Sequence, residues 1–328
     1  MQKILIVGGA GYIGSHAVKD LSNDYNVIVC DNLSEGHRKA VANIADSDFF
    51  KGDINDNSIL DQVFANNKID AVMHFSAYAY VGESVENPQK YYMNNVTATI
   101  NLLSSMLKYN VKHFIFSSTC ATYGMPTYMH MPIDEHHPQN PINPYGASKA
   151  MVERILADYS NAYGLKYISL RYFNAAGAHP DGSIGENHRI ETHLIPLVLK
   201  TLTKEKEAIH VFGDDYETPD GTCIRDYIHV CDLATAHRTA LEVLLSGGES
   251  KSINLGTGIG VSVKEIISIC EKVTGMRVPV ISADRRQGDP PFLVASNDYA
   301  KKILDFKPKF DIYDTVKTAW EWEKDKKF

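Results

Sequence analysis

The first fourteen residues constrain the fold more tightly than any other stretch of the chain. Lys3 to Val7 (Lys-Ile-Leu-Ile-Val) is an unbroken apolar run, the pattern of a strand buried on both faces of a parallel sheet. Gly8-Gly9-Ala10-Gly11-Tyr12-Ile13-Gly14 follows without a spacer, and a helical pattern begins near Tyr12. Glycines at 8, 11 and 14 permit a tight turn, close backbone approach to a diphosphate, and close helix–strand packing. The helix start then faces the anion with free N–H groups. The spacing G-x-x-G-x-x-G is one residue off the usual dinucleotide fingerprint, so the reading leans on the strand before it and the helix after it.

A second apolar run, Asn26 to Cys30, ends in Asp31-Asn32, which places a carboxylate 17 residues beyond Gly14. At a strand tip it accepts hydrogen bonds from a ribose diol and repels a 2′-phosphate, which favours NAD over NADP. Phe49 to Ile54 reads as a short strand that presents Asp53 to an adenine amino group. Ser58 to Asn66 reads as a helix capped by Ser58. Asp70 to Phe75 is a fourth strand, and the small Ser76 and Ala77 let a cofactor press close. A long helix, Tyr91 to Tyr109, follows Pro88 and carries Asn94 on its first turns; further strands are expected at His113 to Ser117 and Lys166 to Arg171. This alternation predicts an α/β fold, a Rossmann-type doubly wound parallel sheet with ligands at the strand C-termini.

After Arg171 the rhythm breaks. Asn174 to Ile190, rich in Gly, His, Asp and Asn, reads as a loop crossing between domains. A helix near Thr192 to Thr203, a strand at Ile209 to Phe212 and a polar loop from Gly213 to Thr222 come next. Helices at Asp232 to Leu245 and Val263 to Thr274 flank a short strand, Ser252 to Leu255, and a helix near Tyr313 to Lys324 closes the chain. The expectation is an NAD-binding domain over 1–175 and a smaller mixed α/β substrate-binding lobe over 176–328, partly interleaved with the first.

Composition narrows the partners. A net charge of −7 over 328 residues offers no general attraction to nucleic acid or an anionic membrane, so any anion is met by a local cluster of donors. No stretch of about 20 apolar residues is present, which argues against a membrane span. The five cysteines, 30, 120, 223, 231 and 270, are odd in number and form no Cys-x-x-Cys pair. That pattern fits reduced thiols in a soluble cytoplasmic protein, with no zinc site and no metal expected.

Two stretches carry the chemistry. Phe116 to Gly124 leaves the fifth strand at its C-terminal end with hydroxyls at Ser117, Ser118, Thr119 and Thr122. Asn143-Pro-Tyr-Gly-Ala-Ser-Lys149 reads as a helix start, with Pro144 in the first turn and Tyr145 and Lys149 on one face. A phenol titrates near ~10, so serving as a base near neutrality takes about 4 kcal/mol of help. One positive charge at about 5 Å and an effective dielectric of ~20 supplies on the order of 3 kcal/mol. Lys149 alone falls short, and a cationic nicotinamide beside it closes the gap. Ordinary readings exist for each piece, a surface Tyr–Lys pair and hydroxyls satisfying a strand end. Their joint occurrence beside a dinucleotide turn is what points to catalysis.

These motifs resemble the extended short-chain dehydrogenase/reductase superfamily and, within it, the nucleotide-sugar epimerases. The resemblance rests on Gly8 to His16, Asp31-Asn32, Val81 to Ser84, Tyr91 to Asn95 and Tyr145 to Lys149. It continues through Arg171 to Asn174, Arg225 to Val230 and Arg285 to Asp289, and so spans essentially the whole chain. It implies interconversion of UDP-glucose and UDP-galactose with bound NAD, Tyr145 taking the 4-hydroxyl proton and Thr119 bonding the same oxygen. A 4-keto sugar would turn over in the site before hydride returns to its other face. The resemblance also assigns Tyr12, Ile13, Ile54, Phe75 and Phe173 to the cofactor site, with Asn94, Tyr145 and Lys149. Asn174, Arg225 and Arg286 are implied at the UDP diphosphate, with His193, Leu194, Val211, Phe212, Asp289 and Leu293 among the other substrate contacts. It implies a homodimer through the helices starting near Tyr91 and Tyr145.

This chain departs from that pattern at four places. Thr119 stands where serine is common, Ala79 where some members place a lysine near the cofactor ribose, and His193 where an asparagine often meets the substrate. Leu293 stands where several members have a bulky tyrosine, which suggests room for N-acetylated sugars. A related 4,6-dehydratase would need an Asp-Glu pair directly after Thr119; Cys120 and Ala121 occupy those positions. A fucose-synthase-type epimerase would use a nearby cysteine acid, but Cys120 reads better as small-residue packing. An NAD-sensing regulatory protein on the same fold would have no use for the Tyr145–Lys149 pair.

Overall fold

A computed structural model describes residues 1–126, 131–286 and 288–328. The chain opens with β1 (Lys3–Val7), α1 (Tyr12–Leu21), β2 (Asn26–Asp31), β3 (Phe49–Lys51), α2 (Asn57–Asn66) and β4 (Ala71–His74). It continues through α3 (Val81–Glu86), α4 (Pro88–Tyr91), α5 (Ala98–Lys108), β5 (His113–Thr119), α6 (Pro144–Tyr163) and β6 (Lys166–Tyr172). Then come β7 (Asn174–Ala176), α7 (Leu194–Leu202), β8 (Ile209–Phe212), β9 (Ile224–His229), α8 (Val230–Leu245) and β10 (Lys251–Leu255). The last elements are β11 (Gly260–Ser262), α9 (Val263–Thr274), β12 (Val280–Ala283), β13 (Phe292–Leu293), α10 (Asp298–Leu304) and α11 (Ile312–Lys324).

Seven strands form the main sheet in the order β10-β6-β5-β4-β1-β2-β3. The pairs β1–β2, β2–β3, β1–β4 and β4–β5 run parallel. The chain winds outward from β1 to β3 and then crosses back to β4 on the other side of β1, which is the topological switch point of a doubly wound fold. Leu5 and Val7 join Val72, Phe114 and Phe116 in one apolar cluster with Leu60 and Val63 of α2, Leu102 and Met106 of α5, and Val152 and Leu156 of α6. Ile4 and Ile6 are equally buried and point to the opposite face, so both faces of the central strand are covered.

The chain divides into two compact units, the first made of Met1–Gly124, Pro138–Arg171 and Ala234–Ile253. The second comprises Met125–His137, Tyr172–Leu233 and Asn254–Phe328. Ala234–Ile253, on the lobe side of the expected boundary at 175/176, thus packs with the first unit. Arg238 of α8 explains part of that return: its Nε and Nη1 donate to Asp20 and Asp24 at 2.6 Å each. In the second unit, α7, α9 and α11 bury Ile195, Val198, Leu199, Ile266, Ile269 and Val316 with Val211 and Tyr227.

Several elements differ from expectation for local reasons. The cap of α2 is Asp56, whose carboxylate accepts from the Ser58 N–H at 2.8 Å, rather than Ser58. A carboxylate gains more than a hydroxyl at the positive end of a helix. The long helix begins at Pro88, capped by Asn87, and widens into π-type turns over Tyr92–Thr97. Asn174–Ala176, read as loop, is a three-residue strand in parallel register with Tyr227–His229 of β9. Three residues are too few for a periodic signal.

The buried ion pair of Arg171 and Glu153 ties β6 to α6. Arg171 Nε donates to Glu153 Oε1 at 2.9 Å, and Nη1 donates to the Tyr123 hydroxyl at 2.9 Å. Gln139 and Ser252 also donate to the same carboxylate. Removing one partner strands a charge in the interior. Arg171→Met should therefore lower unfolding free energy by about 3–5 kcal/mol in urea titrations. The double variant Arg171→Met/Glu153→Gln should recover most of that loss; equal losses in both would contradict the argument.

Candidate active site

The switch point is held by backbone. Phe75 and Ser76, just past β4, both donate to the Val7 carbonyl, at 2.8 and 3.2 Å. This brings Ser76 against the turn after β1. Gly8 has φ of 77°, and a Cβ there would stand 2.5 Å from Ser76 N. A Cβ at Gly14 would stand 2.2 Å from Gly8 O, so α1 reaches the turn only because residue 14 has no side chain. Gly11 differs: its Cβ would meet only Gly8 O, at 3.4 Å, an ordinary contact. Gly11 is the N-cap of α1 and has no side chain to satisfy the first-turn N–H groups. What a side chain at 11 would obstruct is a ligand approaching those donors.

From that turn a groove runs over the C-terminal ends of β1, β2 and β4. It is lined by Gly8, Gly11, Asp31, Asn32, Asp53, Ile54, Phe75, Ser76, Ala77 and Asn94 from the sequence reading. Ser34, Glu35, Gly36 and Tyr78 also line it. No sequence signal marked those four, since they lie in irregular segments. Asp31 at the tip of β2 is buried and accepts from Ala10 N at 2.9 Å and Leu33 N at 2.8 Å. Burial pushes its carboxyl up, and these two N–H groups oppose the rise. Asn32 donates to Asp53 at 2.9 Å. Asp53 is partly buried, yet hydrogen bonds from Asn55 and Asn32 hold it below the usual carboxylate range.

The π turns explain how adjacent residues serve two purposes. Asn94 lines the groove and donates to Asn95 Oδ1 at 2.9 Å. Asn95 is buried, accepts from Tyr78 N, and donates to the Tyr78 carbonyl and to Ser148 Oγ, each at 3.0 Å. It thereby pins the wall of the groove to α6.

Thr119 ends β5 and starts a short 3-10 turn. Its hydroxyl accepts from Ala121 N at 3.1 Å and hydrogen-bonds the Tyr145 hydroxyl, a contact that favours the phenolate. The β-branched side chain is restricted at χ1, and the backbone N–H further fixes where its oxygen sits. Tyr145 nonetheless has its phenol pushed up to about 12, by burial first and by Cys120 in addition. Cys120 is buried, as its packing role requires, but it also touches the electrostatics of the base. Lys149, one turn on, donates to the Ser117 carbonyl at 2.7 Å and lies 4.8 Å over the Phe116 ring. Burial lowers its ammonium to about 7, against a smaller upward pull from Glu153. Tyr12 is buried at the head of α1, next to the partly buried Ile13. The first unit thus holds every expected cofactor residue but Phe173, which is buried in the second, its N–H bonded to the Leu255 carbonyl at 3.3 Å.

The remaining substrate candidates lie in the second unit. Arg225 on β9 is ion-paired with Asp289 and donates to the Ile224 carbonyl at 2.9 Å. Leu293 on β13 pairs in register with Arg225. The Arg286 guanidinium lies 3.9 Å over the Phe212 ring at the end of β8, next to the buried Val211. Gln287, within the same arginine motif, lies outside the described residues. Asn174 donates its amide to the Asp226 carbonyl at 3.0 Å. His193, the N-cap of α7 ahead of Leu194, turns Nδ1 to Glu186. Among the described residues no helix is long and apolar enough to cross a membrane.

Lys149 carries a testable cost. A fall from 10.5 to about 7 penalises the folded, cofactor-free state by on the order of 5 kcal/mol while both states are protonated, below about pH 7. The penalty fades as pH rises from about 7 toward 10.5. Cofactor-stripped protein should therefore gain stability across that interval. Lys149→Met should be more stable at pH 7 and lack that gain. A stripped variant with the same pH slope as the parent would refute this assignment.

Known proteins match this chain over nearly its whole length. Residues 4–256 match the model of the NAD dependent epimerase/dehydratase family. A UDP-glucose 4-epimerase of Halalkalibacterium halodurans is 51% identical over 98% of this chain and 96% of its own length. The crystal structure of UDP-glucose 4-epimerase from Brucella ovis in complex with NAD superposes with a TM-score of 0.93 at 49% identity, covering 98% of each chain. That of the Bifidobacterium longum enzyme with NAD+ and UDP gives 0.92 at 38% identity, again over 98% of each chain. With its glycine turn, strand-tip aspartate and Thr119–Tyr145–Lys149 set in the matching frame, this chain belongs to the NAD dependent epimerase/dehydratase family.

Proposed function

We propose that the protein interconverts UDP-glucose and UDP-galactose by reversible oxidation at C4 of the hexose. The observation that carries this reading is Thr119, its hydroxyl fixed by Ala121 N and bonded to Tyr145. It supports a tyrosine base acting on a substrate hydroxyl. The groove fits NAD: the glycine cradle leaves α1's first N–H groups for a diphosphate, and Asp31 presents a carboxylate at the strand tip. Bound there, NAD supplies the hydride acceptor and donor and, when oxidised, a positive charge.

The residues do the proton work. A phenol at about 12 is far from a base at neutral pH; bringing it to 7 takes about 7 kcal/mol. One positive charge at about 5 Å contributes on the order of 3 kcal/mol at an effective dielectric of ~20. Two such charges are needed, and Lys149 supplies one of them in its protonated form. Tyr145 accepts the 4-hydroxyl proton, Thr119 steadies the oxygen, and Tyr145 returns the proton when the 4-keto sugar is reduced from its other face. Arg225, Arg286 and Asn174 hold the UDP diphosphate, forked guanidinium groups being suited to phosphate. Val211, Phe212, Leu194, His193, Asp289 and Leu293 complete the substrate contacts. Leu293 in place of a bulkier side chain favours acceptance of N-acetylated UDP-hexoses as well.

We assign the protein to the cytoplasm, in keeping with five cysteines that form no disulfide. A homodimer is supported by Val81 and Val85 of α3, Met93 of the π turns and Met151 of α6, 47, 63, 51 and 46% exposed. Apolar surface of this kind on neighbouring helices suits a second copy. Sedimentation should give twice the chain mass, and Val85→Glu/Met151→Glu should give monomers; a monomeric parent would end that proposal.

The function is tested with purified protein, UDP-galactose and no added cofactor. UDP-glucose should form, and UDP-N-acetylgalactosamine should also turn over. Tyr145→Phe should retain NAD and lose roughly 1,000-fold or more in kcat, the scale of a general acid–base contribution. A Tyr145→Phe variant with most of its activity would overturn the mechanism. UDP-galactose turnover without any N-acetyl turnover would overturn only the role given to Leu293.

A further inference from the structure

The segment leading into α7 holds four side chains in an arrangement that neither proton transfer nor diphosphate binding explains. Glu186, His188, Glu191 and His193 each bring one donor atom within 4.8 Å of the others. The Glu186 carboxylate, 5% exposed, is at the centre, with Oε1 3.1 Å from His188 Nδ1 and in contact with His193 Nδ1. Glu191 closes the group, Oε2 3.6 Å from His188 Nδ1 and Oε1 4.0 Å from His193 Nδ1. The imidazole planes lie 76° apart with centroids separated by 5.4 Å, so the two rings approach without stacking. Four ligands at about 2.1 Å from a tetrahedral ion stand about 3.4 Å apart. The observed separations bracket that value, and small side-chain rotations would equalise them.

The ligand backbone is held from outside. Trp322 Nε1 donates to the Glu186 carbonyl at 2.8 Å. Gly185 is pressed onto the same indole, where a Cβ would come within 2.4 Å. Thr192 N and His193 N both donate to Glu191 Oε1 at 2.8 Å, which turns Oε2 toward His188. Such outer contacts orient ligands before an ion arrives. Two carboxylates and two imidazoles that release a proton to the incoming ion form a donor set whose charge a divalent cation balances. Nitrogen donors favour zinc-like ions over magnesium or calcium.

We propose that Glu186, His188, Glu191 and His193 form a site for a divalent transition-metal ion of the zinc class. With four protein ligands and no open position, the site is structural: it clips residues 186–193 to the start of α7. Sequence inspection keyed to cysteine spacing passes over it, because its ligands sit at intervals of two, three and two residues with no thiol among them.

The test uses the full-length holoenzyme, dialysed against a chelator and then equilibrated with Zn2+ and, separately, with Co2+. One zinc per chain should be retained after gel filtration, and Co2+ should give the intense visible bands of a tetrahedral complex. Trp322 fluorescence should change on loading, because its indole bonds the Glu186 backbone. His188→Gln and Glu191→Gln should each weaken zinc binding by roughly 100-fold or more while circular dichroism stays that of the parent. Two variants are used so that a folding defect in one leaves the other informative. Absence of stoichiometric zinc in the parent, weak octahedral-type cobalt bands, or undiminished binding in both variants would overturn the proposal.

Discussion

The approach of Gly8 to Ser76 is the contact on which the cofactor groove depends. Val7 offers one carbonyl to two successive N–H groups beyond β4, and this draws the chain after β4 across the end of β1. The gap left at the turn is too small for a Cβ, and the left-handed φ of Gly8 bends the chain away toward α1. Gly14 then lets the helix close against the same turn. Three consequences follow from one crowded point: the crevice at the switch point, the direction of α1, and the exposure of its first N–H groups. A side chain at 8 or 14 would disturb all three at once, whereas one at 11 would be felt chiefly by the ligand.

Helix α6 concentrates the opposing electrostatic demands. Tyr145, Lys149 and Glu153 recur every four residues and so lie along one face. Burial acts on Tyr145 and Lys149 in the direction of their neutral forms: the phenol rises and the ammonium falls. Arg171 and several neutral donors surround the Glu153 carboxylate. That carboxylate is what partly restores Lys149. The site therefore carries a cost in the empty protein, an arrangement in which catalytic groups are held in a costly state by a well-packed frame.

Legibility in the sequence followed the length and regularity of the signal. β1, β2 and β4 were visible because strands buried on both faces are continuous apolar runs, and the glycine turn was visible because its residues are consecutive. Thr119, Tyr145 and Lys149 could be named because a strand end and an i,i+4 pair are local features. The π turns at Tyr92–Thr97 left no trace, since a widened helix has the same composition as a regular one. The Asp56 cap was missed for the opposite reason: three capping residues, Asp56, Asn57 and Ser58, stood in succession, and only the folded geometry chose among them. β7 and β13, of three and two residues, exist because β9 offers them an edge. The return of Ala234–Ile253 to the first unit depends on contacts such as Arg238 to Asp20, 218 residues apart, for which no window of sequence carries a signal.

The second unit shows how a motif can be recognised while half of its meaning stays hidden. In Arg225-Asp226 the arginine is the residue that suggests phosphate chemistry, and the aspartate looks like its accompaniment. Adjacent residues of a strand point to opposite faces, so the two cannot serve the same site. Asp226 is fully buried, and burial pushes its carboxyl up. It accepts from Thr257 N and Oγ1 at 2.8 Å, Gly258 N at 3.0 Å and Ala295 N at 3.2 Å. Those donors belong to the segments on either side of β9, the one entering β11 and the one leaving β13. The aspartate thus fixes the strands that flank Arg225, and Arg225 keeps its register opposite Leu293 because of it. The dipeptide divides the labour between its two faces: one residue addresses the anion, and the other holds the frame that keeps the first in place.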